Sequence, residues 1–273
     1  MIFDTHVHYD ARRFDEDREE TLSRILEAGV DRAVNIGCDL ESSRAGLALS
    51  ERHAFLWFAA GIYPDNVGDA EALGEEKVLT ELEALLRHPK AAAVGEIGLD
   101  YHESRPDKPS RELQQKWLRL QIALAKRTGK PVVIHSRDAA EDTLAAVRQD
   151  MDGVEKVLHC FSYSREVAAQ CLDCGCYLGI GGVVTFRNGR KMKDVVSYMP
   201  MDRLLLETDC PYLAPEPFRG RRNTSAYLPY VVQAIAEIKG ISGEEVEAVT
   251  WENALRFYRQ EPHPERNQEK NER

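Results

Sequence analysis

The sequence has no run of 18 or more apolar residues, so no membrane-spanning helix is expected. No G-x-G-x-x-G follows the first strand-like segment, which removes the usual dinucleotide fingerprint. No basic-then-apolar leader precedes Ile2, so a cleaved signal is not expected. Cysteine is sparse: Cys38, Cys160, Cys171, Cys174, Cys176 and Cys210 are the six in 273 residues. A chain of this length can bury a core without disulfides, so reduced thiols in a cytoplasmic protein are the expectation. No domain linker and no repeat of 20–50 residues is visible, and no obligate protein partner is indicated. Positive charge is also in deficit, with a formal net charge of -10. Such a body attracts nucleic acid poorly as a whole, so any polyanion would have to be held by local charge.

Strand-like apolar runs recur, with helical stretches between them. They are 2–8, 32–39, 55–64, 91–100, 131–137, 156–161, 177–182 and 204–211. Their middles are continuously apolar, as in strands covered on both faces. Between the fourth and fifth, Leu113, Trp117, Leu120 and Leu124 fall on one helical stripe. Ser110 is placed to cap that helix, and Gly129 with Pro131 to end it. Eight such alternations predict an α/β fold, a single-domain (β/α)8 barrel of the TIM type, over residues 1–259. An open doubly wound sheet is the competing architecture. The polar remainder, 260–273, reads as a tail without fixed structure.

Barrel active sites form at the carboxyl ends of the strands. There the sequence places His6 and His8, then Glu96, His135, His159 and Asp209. His6 and His8 are two residues apart, so a strand can aim both at one face. A single strand-end histidine is ordinarily a satisfied polar residue. Here four of the eight histidines fall at strand ends. Imidazoles and carboxylates crowded on one rim need a cation among them to offset their burial. The donor types suit zinc, manganese, iron or magnesium, and six donors can hold two metals bridged by one carboxylate.

In order, DTHVH, GEIGLDY, IHSR, HCF and ETDCPYLAP-x-P-x-RG-x-RN carry these residues. The set resembles the TatD family of metal-dependent deoxyribonucleases, within the amidohydrolase-like barrels. The resemblance runs from about Ile2 to Tyr258. It implies a distorted barrel and phosphodiester hydrolysis with two divalent ions (Mg, Mn or Zn). One ion would be held by His6, His8, Asp209 and a bridging Glu96; the other by Glu96, His135 and His159. Catalysis would rest on Asp209 and Glu96, and the substrate would be nucleic acid, DNA foremost, cut at ends or in single strands. Tyr63, Arg137, Arg219, Arg221, Arg222 and Asn223 are the expected substrate contacts.

Two stretches depart from the family pattern. The family's GIHPH reads GIYPDN here, with Tyr63 able to bond a phosphate oxygen and Asp65 set to repel one unless turned away. The family's RGKRNEP reads RGRRNTS, which keeps the charge of Arg221. Two basic clusters follow the seventh and eighth strands: Arg187, Arg190, Lys191 and Lys193, then Arg219, Arg221 and Arg222. Singly each reads as a solvated loop; together beside a metal rim they read as a phosphate track. CLDCGC (171–176) lacks a fourth ligand and reads as ordinary thiols. The same barrel chemistry also serves amides and esters, including aminoacyl-RNA esters, and that hydrolase is the alternative. Glu96, where such enzymes can carry a modified lysine, and the arginine-rich rim favour phosphate.

Overall fold

A computed structural model describes residues 1–102 and 107–261. Eight parallel strands follow one another in sequence order: β1 Ile2–Val7, β2 Val30–Ile36, β3 Leu56–Ala60, β4 Ala91–Asp100, β5 Val132–Arg137, β6 Lys156–Leu158, β7 Tyr177–Ile180 and β8 Leu204–Leu206. Helices fill the intervals, so the expected (β/α)8 barrel is the architecture. No described helix is long and apolar enough to cross a membrane. β6 and β8 are three residues each. His159 and Asp209 therefore sit just past their strands rather than inside them, as the sequence reading had placed them.

The barrel is distorted where it closes. β1 and β8 share no ladder, only the single bridge Val7–Cys210. The seam is completed by His8 N donating to Cys210 O (2.9 Å) and Asp209 N to His6 O (3.0 Å). Below them Thr5 Oγ1 donates to Leu206 O at 2.8 Å. The buried Asp4 carboxylate finishes the join, accepting from Thr208 N (3.0 Å), Thr208 Oγ1 (2.7 Å) and Ser225 Oγ (2.6 Å). The contacts that shut the barrel are thus the ones that bring His6, His8 and Asp209 together.

An interior cluster fills the barrel with Phe3, Val34, Ala59, Val133 and Leu205, against Trp251 and Tyr258 of the helix Gly243–Tyr258. Phe3 lies 5.8 Å from the Trp251 ring and 5.7 Å from that of Tyr258. This seals the end where the strands begin and leaves the other end open. Strict alternation from the inward Phe3 would turn His6 away from the interior. A register shift between Asp4 and Val7 reverses the phase and re-aims His6 and His8.

The helix after β4 spans Arg111–Thr128, with Ser110 capping it and Gly129 ending it in the left-handed region (φ 66). Its buried face is rotated from the expected stripe. Trp117 and Leu124 are buried, but so are Gln114, Leu118, Gln121 and Ile122, while Leu113 and Leu120 are only half-buried. The glutamines are paired with backbone. Gln114 accepts from Asp100 N (2.8 Å) and donates to Asp100 O (3.1 Å). Gln121 does the same with Ile62, at 2.7 and 3.1 Å. Two buried amides therefore fix the ends of β3 and β4, where the functional side chains begin.

The stretch expected as a tail begins at Gln260. Gln260 is buried, and its Oε1 accepts from Arg32 at 2.9 Å. The rest of the expected tail, 262–273, lies outside the described residues.

Candidate metal centre

The open end of the barrel holds a cleft of about 720 Å³ with His8, Glu96, His135, His159 and Asp209 in its wall. His6 lies beneath it and is 1 % exposed. The six sequence-predicted donors converge in two sets. In the first, His6 Nε2 and His8 Nε2 are 3.1 Å apart. His6 Nε2 is 3.5 Å from Glu96 Oε2 and 3.7 Å from Asp209 Oδ1. His8 Nε2 is 4.0 and 3.4 Å from the same two oxygens. Donors around a tetrahedral ion with bonds of about 2.0–2.1 Å stand about 3.3–3.4 Å from each other. In the second set, His159 Nε2 is 2.7 Å and His135 Nδ1 3.0 Å from Glu96 Oε1, and the two nitrogens are 3.3 Å apart. Glu96 thus gives one oxygen to each set, the arrangement of a bridging carboxylate. The donor types, spacing and burial fit divalent ions.

Several ring orientations are set from behind. His8 Nδ1 faces Ile36 O at 3.0 Å, leaving Nε2 to the cleft. His135 Nε2 faces Asp100 Oδ2 at 3.0 Å, leaving Nδ1. His6 Nδ1 and His159 Nδ1 are buried without a partner. Charge follows the same pattern. Burial works to raise Glu96, but His159, His135 and His6 outweigh it and hold the carboxyl well below its usual range. Burial likewise opposes ionisation of Asp209, and His8, His6 and His159 keep it low. Burial and the charge of His159 push His6 down to about 4. Burial also disfavours charge on His159, but Glu96 beside it pushes it up to about 9.

Sequence reasoning missed three contributors. Asp100, at the end of β4, accepts from Lys108 Nζ at 2.6 Å and from Tyr63 Oη at 3.1 Å while holding His135. Burial opposes its charge, but His135 and Lys108 keep it well below the usual range. Its place at a strand terminus was the available signal. Glu207 lies buried behind His159 and accepts from Cys160 N. It needs Gly179, where a Cβ would fall 2.2 Å from the Glu207 carboxylate. Burial, with Asp209 nearby, pushes Glu207 up to about 8. Cys38, just past β2, reaches the cleft beside His8 and Glu96.

Asp100→Ala is expected to weaken metal uptake about 10–100-fold, since the His135 ring loses its orienting partner. Competition with a chromophoric chelator measures this, and unchanged affinity would leave Asp100 with a structural role only.

The expected substrate contacts divide. Arg137 is exposed on the cleft wall. Tyr63 also lines the cleft, but its hydroxyl proton goes to Asp100 rather than outward. Asp65 does not face the cleft as a bare charge; it pairs with Lys108 at 3.3 Å. Arg219 lies over the ring of Phe186, which precedes the first basic cluster, at 4.3 Å, and is not part of the cleft wall. Arg221 is exposed beside it. Arg222 and Asn223 both have partners within the protein. Arg222 donates to Asp17 Oδ1 at 2.7 Å and lies over Phe14, so its fork is already engaged. Asn223 is fully buried, donating to Thr208 O (3.0 Å) and Tyr212 O (2.7 Å), so it shapes the β8 loop instead. CLDCGC turns from the helix Arg165–Asp173 into β7, and none of its thiols joins a candidate metal group among the described residues.

The profile of the TatD related DNase family matches residues 3–259. The metal-dependent hydrolase YabD of Bacillus subtilis is 42% identical over 95% of this chain and 99% of its own. The 3'-5' ssDNA/RNA exonuclease TatD of Cronobacter turicensis is 36% identical over 94% of this chain and 97% of its own. The crystal structure of YJJV, a TatD homologue from Escherichia coli, superposes with a TM-score of 0.86 at 31% identity, covering 95% and 98% of the two chains. With matches of that extent over all eight strands and both donor sets, the chain belongs to the TatD family of metal-dependent hydrolases.

Proposed function

We propose that this hydrolase cleaves phosphodiesters in nucleic acid, acting on the ends of single-stranded DNA. The observation that carries the reading is the division of Glu96, with Oε2 toward His6 and His8 and Oε1 toward His135 and His159. That division suits two divalent ions (Mg, Mn or Zn), held by His6, His8, Glu96 and Asp209 and by Glu96, His135 and His159. Bound there, the ions would offset phosphoryl charge and make water acidic enough to attack at neutral pH. Asp209 is the proton acceptor, because its side chain is 17% exposed where that of Glu96 is 4%. Arg137 on the wall offers a guanidinium to a phosphate oxygen, and Arg219 and Arg221 extend positive charge along the rim. The relative from Cronobacter turicensis, named for single-stranded DNA and RNA, supports a single-stranded substrate.

The test is a panel of single-stranded DNA, duplex DNA, RNA, phosphomonoesters and amides, each with Mg, Mn and Zn. Chelator and His6→Ala serve as controls. Metal-dependent release of nucleotides from single strands, lost in both controls, is the expected result. Turnover of amides or carboxylic esters with no metal-dependent cleavage of DNA would overturn the reading.

A further inference from the structure

Cys38 stands where no nuclease role requires a thiol. Its Sγ is 3.9 Å from Glu96 Oε2. With His8 it forms a group whose donor atoms all lie within 4.8 Å of one another. A zinc ion with an S bond near 2.3 Å and an O bond near 2.0 Å sets those two donors about 3.5 Å apart, so a shift of a few tenths of an ångström closes the difference. The thiol is part of the cleft wall, and the other donors of the group are already those of the first metal set.

Its position is built rather than incidental. Cys38 N donates to Ser42 Oγ at 2.8 Å, inside the capping box of the helix Leu40–Arg52. Cys38 O accepts from Tyr63 N at 2.8 Å and from Asn66 Nδ2 at 3.0 Å. Tyr63 and Asn66 belong to GIYPDN, the stretch that departs from the family pattern. The altered loop, which follows the neighbouring strand β3, therefore holds the backbone of this cysteine.

We propose that Cys38 is a further ligand of the metal at His6, His8, Glu96 and Asp209, and that its sulfur biases that position toward zinc over magnesium or manganese. The inference rests on the metal centre proposed above. Coordination replaces the S–H bond with a metal–sulfur bond and releases the proton to solvent, so nothing is oxidised or reduced. A thiolate is a soft donor; it strengthens binding of zinc and cobalt and adds little for magnesium, which prefers oxygen.

Metal-free protein is loaded with zinc for X-ray absorption and with cobalt for optical spectra. The wild type is expected to show a sulfur shell at about 2.3 Å and a thiolate-to-cobalt charge-transfer band. Both are lost in Cys38→Ser and kept in Cys160→Ser, which removes the other cleft thiol. Zinc affinity falls about tenfold or more in Cys38→Ser while manganese affinity holds. Bound metal with only nitrogen and oxygen neighbours in the wild type would overturn the role of Cys38 and leave the metal centre standing. A sulfur shell that survives Cys38→Ser would overturn it too. Wild-type protein that takes up neither ion would overturn both.

Discussion

Asp209→Asn is expected to lower turnover by at least about 10² and up to about 10⁴, the range for removal of a positioned general base, while the fold survives. Asparagine keeps the shape of the side chain but cannot take a proton from water. The carboxylate it replaces is held ionised by His8, His6 and His159 against the effect of burial. It also sits within the first donor set, 3.4 Å from His8 Nε2. The backbone does not depend on it. Asp209 N donates to His6 O and Tyr212 N to Asp209 O, both through the main chain. Asp209 has φ 56, a left-handed conformation that asparagine adopts more readily than alanine. The asparagine variant therefore separates chemistry from folding, where alanine would add strain. Circular dichroism and kcat on the best panel substrate check it. Near-normal turnover in a folded variant would remove Asp209 from the role of proton acceptor.

The convergence of His6, His8, Glu96, His135, His159 and Asp209 was legible because each obeys a rule that acts along the chain. Strand runs mark their own ends, barrels gather function at those ends, and a two-residue spacing turns His6 and His8 the same way. The register shift in β1 that makes the spacing work has no such mark, because a bulge depends on the neighbouring strand. The same holds for Asp100, whose partners are Lys108, Tyr63 and His135. Two arrive from loops and His135 from β5, and no periodicity links them. Arg222 looked like a phosphate contact because a cluster of arginines advertises charge. Its partner, Asp17, stands 205 positions earlier in the chain. The helix stripe erred for a related reason. Gln114 and Gln121 read as surface residues, yet they are buried because backbone groups of Asp100 and Ile62 meet both ends of each amide. Hydrophobic patterning finds faces that pack through apolar surface, and it misses faces that pack through hydrogen bonds.

Stripping metal with a chelator is expected to lower the melting temperature by about 5–10 °C, and re-adding zinc or manganese to restore it. Four imidazoles and two carboxylates share the cleft floor, with His6 Nε2 and His8 Nε2 at 3.1 Å and His135 Nδ1 and His159 Nε2 at 3.3 Å. Without a cation, those nitrogens must share protons across distances set by packing, in a place where charge is poorly solvated. A ligand that binds only the folded state at 100 times its Kd adds about 2.7 kcal/mol. At roughly 2–4 °C per kcal/mol for a domain near this size, one ion yields the stated shift. Acidity should erode the gain. Burial disfavours charge on His159, but Glu96 pushes it up to about 9, so near neutral pH the metal must displace a proton there. Affinity then falls as pH falls, and the thermal shift is to shrink from pH 8 to pH 6. Calorimetry in two buffers of different ionisation enthalpy should register the released protons. Melting that ignores chelator, or a metal-induced gain that grows on acidification, would refute the cluster as a metal centre, and His6→Ala should reproduce the chelated behaviour without any chelator.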